Sequence, residues 1–369
     1  MAAESQIVKA LRPSGTRAES FERMSAKTMR YVHSVPSEQA RGLVARVYEM
    51  LAGETFINGA VTSHSKVPEL MAGMWIGGRE IILVSGKLDR TSKVAMSATL
   101  SQVNDCPYCT DMLVGLMHSD GKHDIATGIF SDDVEQIQDP EIRARCAWVR
   151  TIAAGGQEAP NKTPFTAEEL PEAIGSLFVF SYINRFSHVV MDGSPFAAPF
   201  GLQKVKEASL RIFGSDLRTT QTPSLEAGLS LDLLPSASLP EDLAWAKPNH
   251  RVSDALARWA AAIERETPYA ASQETRELVE QNLQAWSGEL MPNSRCWVDS
   301  EVQGLTGEDQ PVARLALIVA KASHQVSDDL VAEVLGPKRD EEKLVRILAW
   351  ASHTAARRVA DRYYKFFLT

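Results

Sequence analysis

Apolar residues recur every three or four positions through most of this 369-residue chain, and that spacing restricts the fold more than any other feature. The pattern predicts helices over Glu38–Leu51, Ser92–Val103, Pro140–Ala154, Ser253–Glu266, Glu274–Leu290, Pro311–Val326 and Glu341–Tyr364. Strand-like alternation is scarce, and no Asn-Gly or Asp-Gly turn lies between two alternating runs. The expected fold class is all-α. Residues 1–34 carry little periodicity and read as a poorly packed arm, with a helical domain expected over 35–215. Thr, Ser, Leu and Pro dominate 216–245, which reads either as an interdomain linker or as an ordered connection wrapped on the body. A second helical domain is expected over 246–369.

Charge and cysteine content exclude several function classes. The net charge of −8 at pH 7 argues against nucleic acid or an anionic membrane as a partner, because both require clustered Lys and Arg. The longest strongly apolar run, Leu177 to Ile183, is too short to span a bilayer. The first ten residues carry an acid and no apolar stretch, so no signal peptide is expected. Four cysteines in a chain of this length cannot form the disulfide framework of a small secreted domain, so a reducing, cytoplasmic setting is expected. No phosphate loop, dinucleotide fingerprint or His-Glu-x-x-His is present, and no cofactor or metal is expected.

The chemistry concentrates at Cys106 and Cys109. One helix should end near Asn104, and Pro107 suits the first turn of a second that stops near Gly121. Cys106 then caps that helix and Cys109 lies one turn in, where the positive end of the helix dipole favours thiolate. Three readings fit the spacing: a redox-active pair that closes a disulfide, half of a zinc site, or two inert small residues. A thioredoxin-like site is excluded by the helical context. Cys146 and Cys296, each beside tryptophan or a short apolar stretch, read as buried small hydrophobes.

The run Asp105-Cys106-Pro107-Tyr108-Cys109 resembles the alkylhydroperoxidase D and carboxymuconolactone decarboxylase superfamily. Leu170 to Arg185, ending in Asn184-Arg185, and His64-Ser-Lys-Val-Pro-Glu-Leu70 resemble segments of its peroxidase-related branch. The likeness covers about 36–200, and 300–365 is similar to the family's cysteine-free units. It implies a helical bundle that forms homo-oligomers and reduces a peroxide substrate, with a thiol reductant as partner. Cys109 would attack and Cys106 would resolve. The decarboxylase branch leaves a cofactor-free lyase or isomerase open, and a vestigial binding or assembly module is the third reading.

The family's relay glutamate and histidine fall on Val94 and Leu113 here, and neither moves a proton. The nearest substitutes are Gln102, Asp105, Tyr108 and Asp111, although a carboxylate beside a thiolate raises the thiol pKa. His118 should lie on the opposite helix face as an exposed cation. Asn184 and Arg185 read as a polar cluster near the cysteines or as an Arg–carboxylate clamp, and His64 as a loop residue reaching the site or a packing residue. His353, Arg357 and Arg358 on the last helix read as a counterpart of the Asn-Arg helix or as its solvated face, the latter preferred.

A faint internal echo links Gln102-Val-Asn-Asp105 with Gln325-Val-Ser-Asp328, each closing an apolar helix. It suggests two tandem copies of one unit, the second with Asp329 and Ala332 where the cysteines would stand.

Overall fold

The computed structural model describes residues 17–154, 163–196, 203–218, 224–286 and 288–368. Among them the chain is helical without a β-strand, and the single isolated bridge joins Met29 to Met191. The periodic segments appear as helices Gly42–Glu54, Arg90–Val103, Pro140–Ala153, His250–Glu266, Gln273–Ala285, Asp309–Ala322 and Glu341–Leu368. No helix of the described residues is long and apolar enough to cross a membrane.

The organising element is the central helix, Leu170–Val190, in which only Leu170, Arg185 and His188 are not buried. A helix buried on every side needs neighbours all round. Helix Arg90–Val103 and the C-terminal helix Glu341–Leu368 pack along it. Rings from both halves of the sequence interlock there: Trp259 meets Phe178 and Tyr182 edge-on, with centroids 5.6 and 4.7 Å apart. One buried hydrophobic cluster therefore runs through both halves, from Val32 to Tyr363.

Charged groups pin the halves together. Glu172 on the central helix, 1% exposed, accepts from Asn249 (2.9 Å), Arg251 (3.0 Å) and the backbone N–H of Leu88 (3.0 Å). Its carboxylate sits where a Cβ on Gly86 would come within 1.9 Å, so this approach requires glycine. Helix Pro68–Gly77 runs into a π-turn, Gly78–Leu83, that turns Arg79 and Glu80 inward. Arg79 pairs with Glu54 at 2.6 Å, and Glu80 accepts from the backbone N–H groups of Gly228 and Ser230.

Those contacts decide how the Leu- and Ser-rich connection lies. Residues 219–223 are outside the described ones, but 224–246 follow the body, with Leu233, Leu234, Leu243 and Trp245 buried. The described part of this connection, from 224 onward, is packed on the body. At the other end, 1–16 lie outside the described residues, while Arg17–Lys27 is helical and Val32 is 1% exposed. The described part of the expected arm is tied to the body: Ser25 Oγ donates to the Ile57 carbonyl, the Arg30 N–H donates to Val190 O at 2.8 Å, and Met29 bridges to Met191.

Candidate active site

The local sequence forms the expected helix–turn–helix. Arg90–Val103 starts with Asp89 accepting the Ser92 N–H, and Pro107 opens the cysteine helix Pro107–Ser119 with Cys106 as its N-cap. Between them Asp105 takes φ +54, a conformation rarely adopted outside glycine. This turn brings the two sulfurs to 2.6 Å, with the Cys106 thiol donating towards Cys109. Cys106 is 2% and Cys109 3% exposed. Burial, then the neighbouring Cys109 sulfur, push the Cys106 thiol well above its ordinary range. Burial and the adjacent sulfur both favour the protonated form of the Cys106 thiol.

Cys109 also faces a cavity of about 110 Å³, which Cys106 does not line. Its walls are apolar: Phe56, Met74, Trp75, Leu113, Leu116 and Phe180 contribute, and among the described residues Tyr108 and Cys109 alone bring ionisable groups to the lining. Tyr108 accepts the Gly59 N–H at 3.0 Å, and burial with the adjacent Cys109 raises its pKa, so the phenol stays protonated. Leu113 lies in this wall and Val94 is fully buried, so the positions of the missing relay are filled by hydrocarbon.

The other expected residues divide sharply. The Asp105 side chain is exposed, and its carbonyl accepts from His188 Nε2 at 3.0 Å. His188 Nδ1 in turn meets Ser323 Oγ at 2.7 Å, which extends the contact into the second half of the chain. Gln102 is engaged elsewhere, by the Ile129 carbonyl and Arg150. Asp111 pairs with Lys206 at 2.8 Å and accepts from Ser194. Asn184 accepts from Ser101 Oγ at 3.0 Å, and the Ser101 carbonyl receives the Cys106 N–H at 2.8 Å. Asn184 therefore stands one residue removed from the pair.

Several side chains differ from expectation. Arg185 does clamp two helices, but through carbonyls and not a carboxylate: Nε donates to Ala320 O at 2.9 Å and Nη1 to Ser181 O. His64 is 1% exposed, bonded to Tyr182 at 2.7 Å and stacked on Phe186, away from the cavity wall. Its burial lowers its pKa to about 3. His118 is not an exposed cation: it is 1% exposed and held neutral, at about 4, because helix Gln203–Arg218 covers that face. His353 is likewise buried, against Phe178 and Trp259, whereas Arg357 pairs with Asp242. Cys146 is fully buried, and burial raises its thiol to about 11. Cys296 is exposed, because the short helix it opens, Cys296–Glu301, lies at the surface. Among the described residues no group of three or more His, Cys, Asp or Glu side chains is arranged to hold a metal.

An all-helical body with a Cys-x-x-Cys at a helix start, followed by a buried helix that carries Asn184-Arg185 in its interior and runs on to Val190 rather than ending there, has the features of an alkylhydroperoxidase D-like protein. The chain is 30% identical over 335 residues to the alkyl hydroperoxide reductase Rv2159c of Mycobacterium tuberculosis, covering 90% of this chain and 94% of that relative. It belongs to the alkylhydroperoxidase D-like family. No family model matches the chain, and no solved structure matches it.

Proposed function

We propose that the protein reduces hydroperoxides with Cys109 as the attacking sulfur and Cys106 as the resolving one. The observation that carries this reading is that Cys109 alone of the pair lines the cavity while Cys106 lies behind it at 2.6 Å. The Cys109 thiolate attacks the terminal peroxide oxygen; an S–O bond forms and the O–O bond breaks. Cys109 is oxidised to sulfenic acid, and the alkoxide takes up the proton that Cys109 gave up on ionising. Cys106 then displaces water from that sulfur and closes the disulfide, which a dithiol reductant returns to two thiols.

The reading predicts a slow enzyme by the standards of relay-assisted chemistry, since thiolate formation rests on the helix terminus and the Cys106 hydrogen bond. A small-acid lyase is disfavoured, because the described residues of the cavity lining offer no Lys, Arg or His to hold a carboxylate. We infer also that the second half is a degenerate copy of the first, and that its role at the site is support through Ser323 and Ala320. The test is to add an alkyl hydroperoxide to reduced protein, count the thiols lost and map the product by mass spectrometry. Two thiols should disappear into a Cys106–Cys109 disulfide. Full peroxide consumption by Cys109→Ser overturns the reading.

A further inference from the structure

Four of the residues that line the cavity in front of Cys109 are only partly buried: Asn58, Ala60, Gly78 and Leu83. The remaining lining residues are buried, so these four mark the side on which the cavity opens. Gly78 and Leu83 begin and end the π-turn. Neither conformation nor packing requires glycine at 78. Its backbone is right-handed helix, φ −61 and ψ −46, which any residue except proline adopts. A Cβ on Gly73 or Gly77, earlier in the same helix, would come within 2.6 or 2.4 Å of Trp259. One on Gly78 meets nothing within 4 Å among the described residues. Gly53 and Gly304 have the same freedom, but they are exposed and line no part of this cavity. We propose that Gly78 is the specificity-determining residue at the entry to Cys109, and that the side chain it lacks sets the girth of the molecules that pass. That peroxides are what enters rests on the reductase reading above; the control of access does not.

Buried charge holds the turn that carries Gly78. Arg79 and Glu80, both fully buried, pair with each other, and Arg79 grips Glu54 through two hydrogen bonds of 2.6 and 2.8 Å. Glu54 ends the helix that leads directly into Thr55 and Phe56, two further lining residues. On the other side Glu80 accepts from Ser230 Oγ at 2.7 Å and from the backbone N–H groups of Gly228 and Ser230. Arg79 donates to the Glu226 carbonyl at 2.9 Å. The connection between the halves therefore clasps the π-turn, a rare geometry that recurs at functional sites, and with it one side of the entry. Glu80 and Ser230 are positioning residues in this arrangement. They line no part of the cavity and act through where they hold Gly78 and Leu83.

The probes are two neutral thiol alkylators of different girth, iodoacetamide and N-ethylmaleimide, applied to the reduced full-length protein, with each modified cysteine located by mass spectrometry. Gly78→Leu should slow N-ethylmaleimide at Cys109 about tenfold and iodoacetamide by less than about twofold, the discrimination that small changes of bulk give in an apolar pocket. Gly78→Ala should move the ratio in the same direction, and it carries the test if Gly78→Leu does not fold, since alanine suits this backbone better than glycine. Ser230→Ala should instead speed N-ethylmaleimide at Cys109 about threefold, the worth of one hydrogen bond in the clasp. An unchanged rate in that variant overturns the positioning role. Cys146 is fully buried and lines no part of the cavity, so its rate should stay constant throughout. A reagent ratio at Cys109 that neither Gly78 variant moves, or a Cys146 rate that moves in step with it, overturns the assignment of Gly78. Hydrogen peroxide and cumene hydroperoxide form the second arm and should follow the small and the large alkylator. A moved ratio with thiols that neither peroxide oxidises refutes the reductase reading and leaves the entry assigned. Oxidised thiols with an unmoved ratio do the reverse.

Discussion

His188 Nε2 donates to the carbonyl of Asp105 at 3.0 Å, so an imidazole from the central helix holds the residue immediately before Cys106 in its left-handed turn. Ser323, from the other half of the chain, holds that imidazole at 2.7 Å. Replacing His188 by Ala should free the Asp105 peptide and slow disulfide closure about tenfold, since the cost of a mispositioned resolving thiol falls on that step. Initial sulfenic acid formation at Cys109 should change less. Trapping with dimedone, compared with the rate of thiol loss, separates the two. Equal slowing of both steps would count against a positioning role.

The hydrocarbon at the relay positions gives a gain-of-function test. Leu113→His places an imidazole in the wall that Cys109 also lines, and a neighbouring imidazolium favours thiolate. The expected result is about a tenfold faster reaction with hydroperoxide at pH 7, at a stability cost of about 2 kcal/mol for the buried polar ring. Stopped-flow rates over pH should show a new ionisation absent from the parent protein.

Acid should destabilise the fold through buried histidines. His64 and His118 are held neutral in the native state, at about 3 and about 4, and burial depresses His353 as well. Each takes up a proton near pH 6.5 once unfolded, so the unfolded state binds more protons below that value. Stability is full above pH 6.5 and falls as the pH drops towards those native values, by about 1.4 kcal/mol per pH unit for each histidine. Urea unfolding at pH 7 and pH 5 measures the slope, and His64→Phe should reduce it.

Glu172 should be the most costly carboxylate to remove. It is buried and joined to Arg251 and Asn249 of the second half and to Leu88 of the first. Glu172→Ala leaves Arg251 and Lys93 without their anion, and a loss of about 3–5 kcal/mol is expected in denaturant unfolding. Glu172→Ala with Arg251→Ala should cost less than the sum of the two single changes.

Thiol accessibility gives a direct count. In the reduced native protein one thiol, Cys296, should react rapidly with a bulky aromatic disulfide reagent, because Cys106, Cys109 and Cys146 are buried. All four should react in denaturant, and Cys296→Ser should abolish the fast phase. Two fast thiols in the native state would contradict the burial of the pair.

Most helices, and the cap position of Cys106, were legible because they rest on local rules: apolar period, a proline at the first turn, an aspartate before the Ser92 helix. The cavity was not. Its wall joins Trp75, Leu113 and Phe180 from three helices, and every residue from Leu70 to Gly77 is buried, so periodicity could not mark the face that matters. His188 was hidden for another reason: its partner at the site is a backbone carbonyl, which no side-chain pattern announces. His118 was misplaced because the covering helix Gln203–Arg218 was not recognised. Gly115 and Gly214 were the available signal, since a Cβ on either would strike Phe213 or His118, and paired glycines of this kind mark close helix contact.

For the cycle proposed for Cys109 and Cys106, the burial of both sulfurs sets how it would be completed. A disulfide closed between Cys106 and Cys109 would be sealed within the body, reachable by a small peroxide through the cavity but not by the active-site dithiol of a folded reductase. Regeneration then requires the turn around Asp105, the exposed hinge of the motif, to open transiently and present the Cys106 sulfur. Opening has to release the His188 bond to the Asp105 carbonyl together with the backbone bonds from Asp105 N–H to Gln102 O and from Cys106 N–H to Ser101 O. The release of that turn would then govern the reductant's step, separately from the slow attack of Cys109 on peroxide.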